Sequence, residues 1–417
     1  MAKPTIRFRG FDDEWEQRKL GELAEIVGGG TPSTSVDSYW DGDIDWYAPA
    51  EIGEQIYLES SLRKITEEGL NKSSAKILPI GTVLFTSRAG IGKTAILLKE
   101  GCTNQGFQSI VPNKEKLDSY FIFTRSEELK RYGETVGAGS TFVEVSGKQM
   151  ANMELMMPKT MLEQQQIGNC FQSLDHLITL HQRKCDETKK LKKYMLQKMF
   201  PQNGSKVPEI RFEGFTDEWE QRKLGDVLER RIEQRQQSEE YPRLAFASGQ
   251  GVIPLSERKT NNREQLTKDE YTKKYLVTEL NDIVYNPANV KYGAIDRNKC
   301  GRGLISPIYV TFTTNEIPGF IERIVTSHDF QQRALRFEEG TVTKRQSVNP
   351  EDLVTLDILV APKREEQQKI ATYFDSLDHL ITLHQYKCEE LKKLKKFMLQ
   401  NMFTQKNKYG FHKNSKR

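Results

Sequence analysis

Histidine and cysteine recur together along the chain in a pattern that could hold a metal ion. The set occurs twice, as His176, His181 and Cys185 and again as His379, His384 and Cys388. Residues four apart, such as His181 and Cys185, lie on one face of a helix, but zinc sites generally use closer and more regular ligand spacings. We therefore interpret these residues as part of a helical seam and expect no metal site.

The stretch Gly90-Ile91-Gly92-Lys93-Thr94 contains part of the glycine-rich motif that binds nucleotide phosphates. The full motif, GxxxxGKS or GxxxxGKT, needs a glycine at position 87, where this chain has Ser87, and a helix after it. The pattern instead predicts a strand, a turn and a second strand. Arg88 and Lys93 on such a turn could reach DNA phosphates.

Asn286-Pro287-Ala288-Asn289 is similar to the Asn-Pro-Pro-aromatic motif with which amino-methyltransferases hold a target amine. The third-position proline and the aromatic residue are missing, and no glycine-rich cofactor loop follows a strand in that half. Paired carboxylates, a Ser-His-Asp set and a nuclease-like cluster do not stand out either. We predict a polar loop here and no catalytic residue in the chain.

Composition is typical of a globular protein without a spanning helix. The 417 residues carry a net charge of +4, which permits nucleic-acid binding without indicating it. The five cysteines contain no CxxC pair, so they predict neither disulfides nor a zinc ribbon. The first residues lack the apolar core of a signal peptide, and no apolar stretch approaches membrane length. We expect a cytoplasmic protein.

Internal repetition is the strongest feature of the sequence. PTIRFRGFDDEWEQRKLGEL at 4–23 returns as PEIRFEGFTDEWEQRKLGDV at 208–227, a shift of 204 residues. A second block, 167–200, returns at 370–403 with a shift of 203 residues. The chain is therefore two halves of about equal length.

The segments between the repeated blocks, 24–160 and 228–363, hardly resemble each other. Only faint correspondences survive, such as GTVLF (81–85) with NDIVY (281–285). Apolar and β-branched runs at 82–87, 304–312 and 353–360 predict strands separated by turns. We expect one shared fold with two different surfaces.

The second repeated block predicts a long amphipathic helix in each half. Apolar residues alternate by four and three from Leu377 to Met402, a heptad-like seam that Leu380 and Leu394 broaden. The N-cap candidates are Ser173 and Asp175, with Ser376 and Asp378 in the second copy. About 28 helical residues would span roughly 40 Å. Each helix needs a partner for its apolar stripe, and we expect the two copies to pair antiparallel with a globular domain at each end.

The motif RFxGFxxEWExxKLG, the stretches EQQQIGNCFQSLDHLI and EQQKIATYFDSLDHLI, and the Leu-Lys-rich helix ends occur twice in the same order. This order resembles the specificity subunits of type I restriction-modification enzymes over nearly the whole chain. The fold class is then α+β: two globular mixed α/β target-recognition domains joined by two long antiparallel coiled-coil helices, with a pseudo-two-fold relation. The implied boundaries are 1–160 and 205–363 for the recognition domains, 161–204 and 364–404 for the helical spacers, and 405–417 for a basic, disordered tail.

The resemblance implies a non-catalytic chain that reads double-stranded DNA at a bipartite target. Its helices would act as a spacer ruler and dock two modification subunits, which methylate adenine at N6, while restriction subunits complete the nuclease. S-adenosylmethionine, ATP and Mg would belong to those partners. Two other classes of protein remain open: a DNA-binding regulator without modification subunits, and a coiled-coil scaffold that never meets DNA. The lysine runs 189–193 and 392–396 fit either a solvated helix face or contact with phosphate or an acidic partner.

Base edges are read by Arg and Lys at guanine and by Asn and Gln at adenine. The polar loop residues that we predict to contact DNA are Ser87, Arg88, Lys93, Asn104, Gln105, Thr141, Asn286, Asn289, Lys291, Tyr292, Arg302, Lys344, Arg345 and Gln346. The predicted helix–helix seam consists of Leu174, Ile178, Leu191, Met195, Leu377, Ile381, Leu391 and Met398. The first half lacks the cations of 344–346, so we expect the two domains to read different bases.

Overall fold

The computed structural model describes residues 3–88, 90–138, 144–202, 204–247, 249–258, 273–339 and 347–403, which form two compact units. Unit 1 combines the described residues up to 182 with those from 386 onward, and unit 2 lies within 183–385. Both units mix helices and sheets, so the predicted α+β fold class is confirmed.

Unit 1 is organised around a mixed β-sheet. Its strands are β1 (Glu16–Lys19), β2 (Ala24–Gly28), β3 (Trp40–Tyr47), β4 (Tyr57–Leu58), β5 (Arg63–Ile65), β6 (Val83–Phe85), β7 (Thr94–Leu97), β8 (Cys102–Thr103), β9 (Gln108–Pro112) and β10 (Glu154–Met157). Its helices are α1 (Leu20–Leu23), α2 (Glu67–Asn71), α3 (Ser119–Thr124), α4 (Ser126–Gly137), α5 (Gly147–Ala151) and the first part of α6 (Met161–Lys198). The main sheet has the order β2-β9-β6-β7-β4, a smaller one has the order β5-β3-β8, and β1 pairs with β10.

Unit 2 repeats this plan with shorter sheets. Its strands are β11 (Glu220–Lys223), β12 (Leu228–Arg231), β13 (Gln234–Arg235), β14 (Leu244–Ala247), β15 (Gly251–Pro254), β16 (Tyr275–Thr278), β17 (Ile283–Tyr285), β18 (Ile295–Arg297), β19 (Gly303–Ile305), β20 (Val310–Thr314), β21 (Glu338–Glu339), β22 (Ser347–Val348) and β23 (Asp357–Val360). Its helices are the last part of α6, α7 (Pro318–Val325), α8 (His328–Ala334), α9 (Pro350–Leu353) and the first part of α10 (Arg364–Asn401). The sheets have the orders β12-β20-β17-β18 and β13-β16-β19, and the remaining strands form the pairs β11-β23, β14-β15 and β21-β22.

The faint correspondence between GTVLF and NDIVY marks equivalent strands. In β6, Val83 pairs with Ile96 on one side and Ile110 on the other. In β17, Ile283 pairs with Arg297 and Phe312 in the same way. A shared fold under two different sequences is therefore confirmed at this position.

Two of the predicted strands are interrupted. The run 304–312 forms β19 and β20, separated by a turn that contains Pro307. The run 353–360 begins in α9, because Asn349 caps that helix through the backbone N–H of Glu351 and Pro350 occupies its first turn. Only 357–360 is a strand.

The long helices begin before the predicted N-cap residues. α6 and α10 each contain 38 residues, which correspond to roughly 57 Å at 1.5 Å per residue. The predicted N-caps Ser173, Asp175, Ser376 and Asp378 are wrong, since all four lie inside a helix. Thr160 precedes α6 instead, and its Oγ1 accepts the backbone N–H of Glu163 at 3.3 Å.

A buried arginine–glutamate pair ties each domain to the first turn of its long helix. Arg7 donates from Nε and Nη2 to the carboxylate of Glu163 at 2.7 and 2.8 Å. Arg211 donates to Glu366 at 2.6 and 2.8 Å through the same atoms. Both glutamates are buried and lie near the positive end of the helix dipole. The repeated motif around RFxGF thus positions the helix in both units.

Within unit 1, the two long helices run antiparallel. Lys395 donates to Asp175 at 2.6 Å, and the Sγ of Cys388 lies 4.0 Å from the carbonyl oxygen of Ile178. Residue numbers rise along α6 as they fall along α10, which confirms the predicted direction of pairing in this unit.

Unit 2 makes the matching contacts with the roles of the helices exchanged. Lys192 donates to Asp378, and the Sγ of Cys185 lies 3.9 Å from the carbonyl oxygen of Ile381. The two cysteines of the histidine–cysteine pattern, Cys185 and Cys388, therefore pack between the long helices. Among the described residues, no three His, Cys, Asp or Glu side chains are grouped as a metal site would require.

Most of the predicted seam residues lie in or against the apolar core of their own unit. Leu174 and Leu377 are buried, Met195 packs on the unit 2 core, Leu391 and Met398 pack on the unit 1 core, and Ile178 and Ile381 are half-buried. Leu191 is 45% exposed and lies on the flank of the seam. By the repeat offset its counterpart is Leu394, which is equally exposed, so the apolar stripe is narrower than expected.

Each core is completed by the end of the long helix that begins in the other half of the sequence. In unit 1, Phe403 lies against Trp15, Phe121 and Phe171 with ring centroids 5.7–6.1 Å apart. In unit 2, Phe200 contacts Trp219, Phe320 and Phe374 at 5.6–6.1 Å.

We expect Phe403→Ala and Phe200→Ala each to lower the free energy of unfolding by about 2–4 kcal/mol, because each removes a ring from an aromatic cluster. Urea unfolding followed by tryptophan fluorescence measures the change. Phe397→Ala is the control, since Phe397 is 53% exposed and should cost little. An equal effect of all three substitutions would contradict this role for the helix ends.

A second prediction concerns Asp378, which accepts from Lys192 and lies 2.9 Å from Arg323. Burial opposes its ionisation, but the hydrogen bond from Lys192 and the charge of Arg323 outweigh burial and lower the pKa of Asp378. A lowered pKa in the folded state stabilises the protein above the unfolded pKa, and the contribution is lost as the pH falls through the folded value.

We therefore expect Asp378→Asn to destabilise the protein at pH 7 and the difference from the unchanged chain to shrink below about pH 4. Urea unfolding at a series of pH values measures it. Asp329→Asn, at a largely exposed carboxylate, should show little effect at any pH. A difference that stays constant down to pH 3 would argue against the ion pair as the cause.

Candidate nucleic-acid interface

The P-loop-like stretch is a hairpin turn between β6 and β7, as predicted. Thr86 and Lys93 close it: the N–H of Thr86 donates to the carbonyl of Lys93, and the N–H of Lys93 donates to Thr86 Oγ1, both at 3.0 Å. Gly90 and Gly92 have φ values of +99° and +97°, which favour glycine. The glycines therefore serve the turn.

The side chains of this turn have different surroundings. Ser87 is fully buried, so its hydroxyl does not face solvent. The backbone carbonyl of Ser87 accepts the N–H of Val145 at 3.1 Å. Arg88 is half-exposed and forms a 2.8 Å ion pair with Glu144. Lys93 lines a cavity of about 440 Å³ between the turn and α4. Of the predicted contacts, Arg88 and Lys93 remain accessible.

A second loop lies directly beside this turn. Its backbone is fixed by Asn104, whose Oδ1 accepts the N–H of Gly106 at 2.7 Å, while the carbonyl of Gly106 accepts the N–H of Ser87 at 2.7 Å. Gln105 is exposed at the tip and accepts from the hydroxyl of Thr31. The structure thus brings together the predicted residues of the first half, except Thr141, which lies outside the described residues.

In unit 2 the equivalent turn joins β17 and β18. The N–H of Asn286 donates to the carbonyl of Ala294 at 2.8 Å, and a 3-10 helix covers Pro287–Tyr292. Asn286 is buried, and its side-chain oxygen accepts the N–H of Ala288 at 3.1 Å. This asparagine is therefore used as a helix cap, which differs from the expected exposed loop position.

The remaining candidates of the second half are only partly assembled. Asn289 and Tyr292 are exposed on the turn. Arg302 follows β18 at the other end of that strand and is held by Glu279 and Glu240 at 2.9 and 2.5 Å; the charge of Glu279 raises the pKa of Arg302. The side chain of Lys291 lies outside the described part of the structure, as do the residues Lys344, Arg345 and Gln346.

In each unit, a residue that follows a polar segment outside the described residues is hydrogen-bonded to the hairpin turn or to the strand before it. In unit 1, Val145 donates to the carbonyl of Ser87 just after residues 139–143. In unit 2, the carbonyl of Val348, just after 340–346, accepts from the hydroxyl of Tyr285 at 3.1 Å. Val145 and Val348, which follow the two segments singled out in the sequence, therefore contact the chain at or near the ends of the equivalent strands β6 and β17.

Glu144 and Thr31, which hold Arg88 and Gln105, are not recognisable from the sequence. An acidic residue is not an obvious DNA ligand, and Thr31 lies 74 positions before Gln105. No local pattern connects such partners. The ion pair with Glu144 engages the Nε of Arg88, whose side chain stays 46% exposed.

The comparisons with known proteins agree with this architecture. Residues 12–190 match the family model described as type I restriction modification DNA specificity domain. An S subunit of a type I restriction-modification system from M. genitalium has a similar fold, with a TM-score of 0.63 and 12% identity over 97% of this chain and all of that chain.

Two relatives come from Methanocaldococcus jannaschii. The type I restriction enzyme MjaIX specificity subunit is 32% identical over 233 residues, which are 52% of this chain and 52% of that protein. The MjaVIII specificity subunit is 22% identical over 94% of this chain and 93% of its own length. The chain thus spans about half the length of the MjaIX relative that it matches.

The resemblance to specificity subunits of type I restriction-modification enzymes is confirmed by these relatives. The DNA specificity domain of that family is matched by residues 12–190. Within the described residues, no helix is long and apolar enough to span a membrane.

Proposed function

We propose that this chain is the non-catalytic specificity subunit of a cytoplasmic type I restriction-modification complex. It reads the two parts of an asymmetric, bipartite DNA target, one with each unit. The observation that carries this proposal is the pair of equivalent hairpin turns, which connect β6 to β7 in unit 1 and β17 to β18 in unit 2, each between antiparallel strands. One turn offers Arg88 and Lys93, and the other offers Asn289 and Tyr292. Equal positions with different donors suit two different half-sites.

The long helices would act as the spacer ruler and as docking surfaces for two modification subunits. Both helices expose large apolar side chains at equivalent positions. In α6 these are Leu177, Leu191 and Tyr194, which are 40–49% exposed, and in α10 they are Leu380, Leu394 and Phe397, which are 41–53% exposed. Because this set occurs twice, it suits two copies of one partner. S-adenosylmethionine, ATP and Mg would be bound by the modification and restriction subunits.

A regulator that binds DNA without modification subunits is the second candidate, supported by the same hairpin turns. A methylome of cells that express this chain with its neighbouring modification gene separates the two. We expect N6-methyladenine in a split, asymmetric motif. A complex with the methyltransferase that leaves no such motif would contradict the proposal.

Arg88→Ala should weaken binding of the methylated target by about 1–3 kcal/mol if Arg88 reads a base. Fluorescence anisotropy with a labelled duplex measures the affinity. Arg18→Ala is the matched control, because Arg18 also pairs with glutamates in unit 1, Glu16 and Glu22, but lies on β1. Equal affinity of both variants would remove Arg88 from the interface. Lys344→Ala and Arg345→Ala test the second half in the same way.

Leu394→Ser combined with Phe397→Ser should release the methyltransferase subunit without changing the free energy of unfolding. The two side chains lie three residues apart and so share one helix face. Co-elution on size-exclusion chromatography measures the association. Ile308→Ser, at a residue 63% exposed in unit 2, is the control for added surface polarity. Retention of the partner by the double variant would exclude this face.

A further inference from the structure

The turn between β4 and β5 presents Leu62, which is 88% exposed. None of the large apolar side chains in the described part of the chain is more exposed. Single exposed leucines are common on protein surfaces, so exposure alone indicates little. The surroundings of this one are unusual, because its backbone is rigidly held.

Two carboxylates, those of Asp45 and Glu51, accept hydrogen bonds from the residues of this turn. Asp45 is buried on β3, and its Oδ1 accepts from the N–H and hydroxyl of Ser61 at 2.9 and 3.0 Å and from the hydroxyl of Ser60 at 3.1 Å. Burial opposes the ionisation of Asp45, but these hydrogen bonds outweigh it and lower its pKa. Glu51 accepts the backbone N–H of Leu62 itself at 2.7 Å. The leucine is thus held outward by a preformed loop.

An arginine follows the leucine and is also pre-positioned. The guanidinium carbon of Arg63 lies 3.6 Å from the ring centroid of Trp40, and Trp40 packs edge-on against Trp46 at 5.1 Å. Stacking of this kind restricts the long side chain while leaving donors available. An exposed apolar group next to an ordered cation suits a surface that carries both apolar groups and phosphates.

The same segment connects this turn to the candidate interface. Residues 53–55, just after Glu51, line the cavity whose opposite side is formed by Gly90–Lys93. Pro49 packs against Gly106, where an added β-carbon would lie 2.8 Å from Pro49 Cγ. The Leu62 turn, the hairpin turn and the Gln105 loop are therefore attached to one short stretch of chain.

We propose that Leu62 is a specificity-determining residue that contacts the methyl group of a thymine in the DNA half-site read by unit 1. The thymine methyl is the apolar group that base edges present in the major groove. A rigid loop loses little conformational entropy on contact, and Arg63 is positioned to meet a neighbouring phosphate. This inference rests on the proposed function and adds an apolar element to a readout otherwise made of polar donors.

The test is a selection from a duplex library with a randomised core, using the full chain with its modification subunit. The unchanged chain and Ile80→Ala should enrich the same bipartite consensus, since Ile80 is an exposed aliphatic residue of unit 1 outside this turn. Leu62→Ala should enrich that consensus without a preference for thymine at one position of one half-site.

A second measurement isolates the methyl group. Deoxyuridine replaces that thymine in the consensus duplex and removes only the methyl. The unchanged chain should bind the deoxyuridine duplex about fourfold more weakly, the effect of one buried methyl group, while Leu62→Ala should bind both duplexes equally. Because Leu62 is exposed, thermal unfolding of the variant should match that of the unchanged chain.

The outcomes separate the two proposals. If Leu62→Ala enriches the same complete consensus as the unchanged chain, this inference is overturned and the proposed function stays intact. Uniform loss of binding to every duplex also overturns it, since the leucine would then not discriminate bases. Loss of the modification subunit from Leu62→Ala would assign the residue to protein docking instead. No enrichment by the unchanged chain overturns the proposed function itself.

Discussion

The buried pair between an arginine near the start of each half and a glutamate in the first turn of each long helix determines how the rest of each unit is arranged. Arg7 with Glu163 and Arg211 with Glu366 use the same atoms at almost the same distances. Removing one partner of such a pair leaves an uncompensated buried charge, which typically costs about 3–5 kcal/mol. The pair therefore holds the first turn of each long helix against the segment that begins the same half of the chain, on either side of the divergent sequence.

Around this fixed geometry, the two units solve the same packing problem with different side chains. In unit 1, the hydroxyl of Tyr120 on α3 donates to Asp175 of the long helix at 2.8 Å. In unit 2, arginines take this place: Arg323 on α7 contacts Asp378, and Arg297 on β18 contacts Asp375. Because β18 continues from the hairpin turn, the charged cluster also supports the turn. Constant helices can thus hold variable domains, provided that each domain supplies some donor to the same helix face.

The sequence predicted the architecture well because duplication and helical periodicity are properties of the chain itself. It failed where the deciding partner is remote. Ser173 and Asp175 look like helix caps, but the helix continues through them, since Thr160 caps it earlier and Asp175 is used by Lys395. Ser87 and Asn286 look like exposed loop donors, yet one is covered and the other caps a 3-10 helix. Leu62 was overlooked because an isolated apolar residue in a polar turn has no periodicity, and only Asp45 and Glu51 reveal that it is held.

The end of α10 packs in unit 1, and this placement affects the order in which the two units can be completed during synthesis. Unit 2 lies within one continuous stretch, 183–385, whereas unit 1 also needs residues from 386 onward. The ribosome therefore supplies every residue of unit 2 before the last strip of unit 1, although unit 1 begins first. Until Phe403 has been made, Trp15, Phe121 and Phe171 lack a ring that completes their cluster. Domains generally fold in the order in which they are translated; here the first domain made is the last to receive its full core.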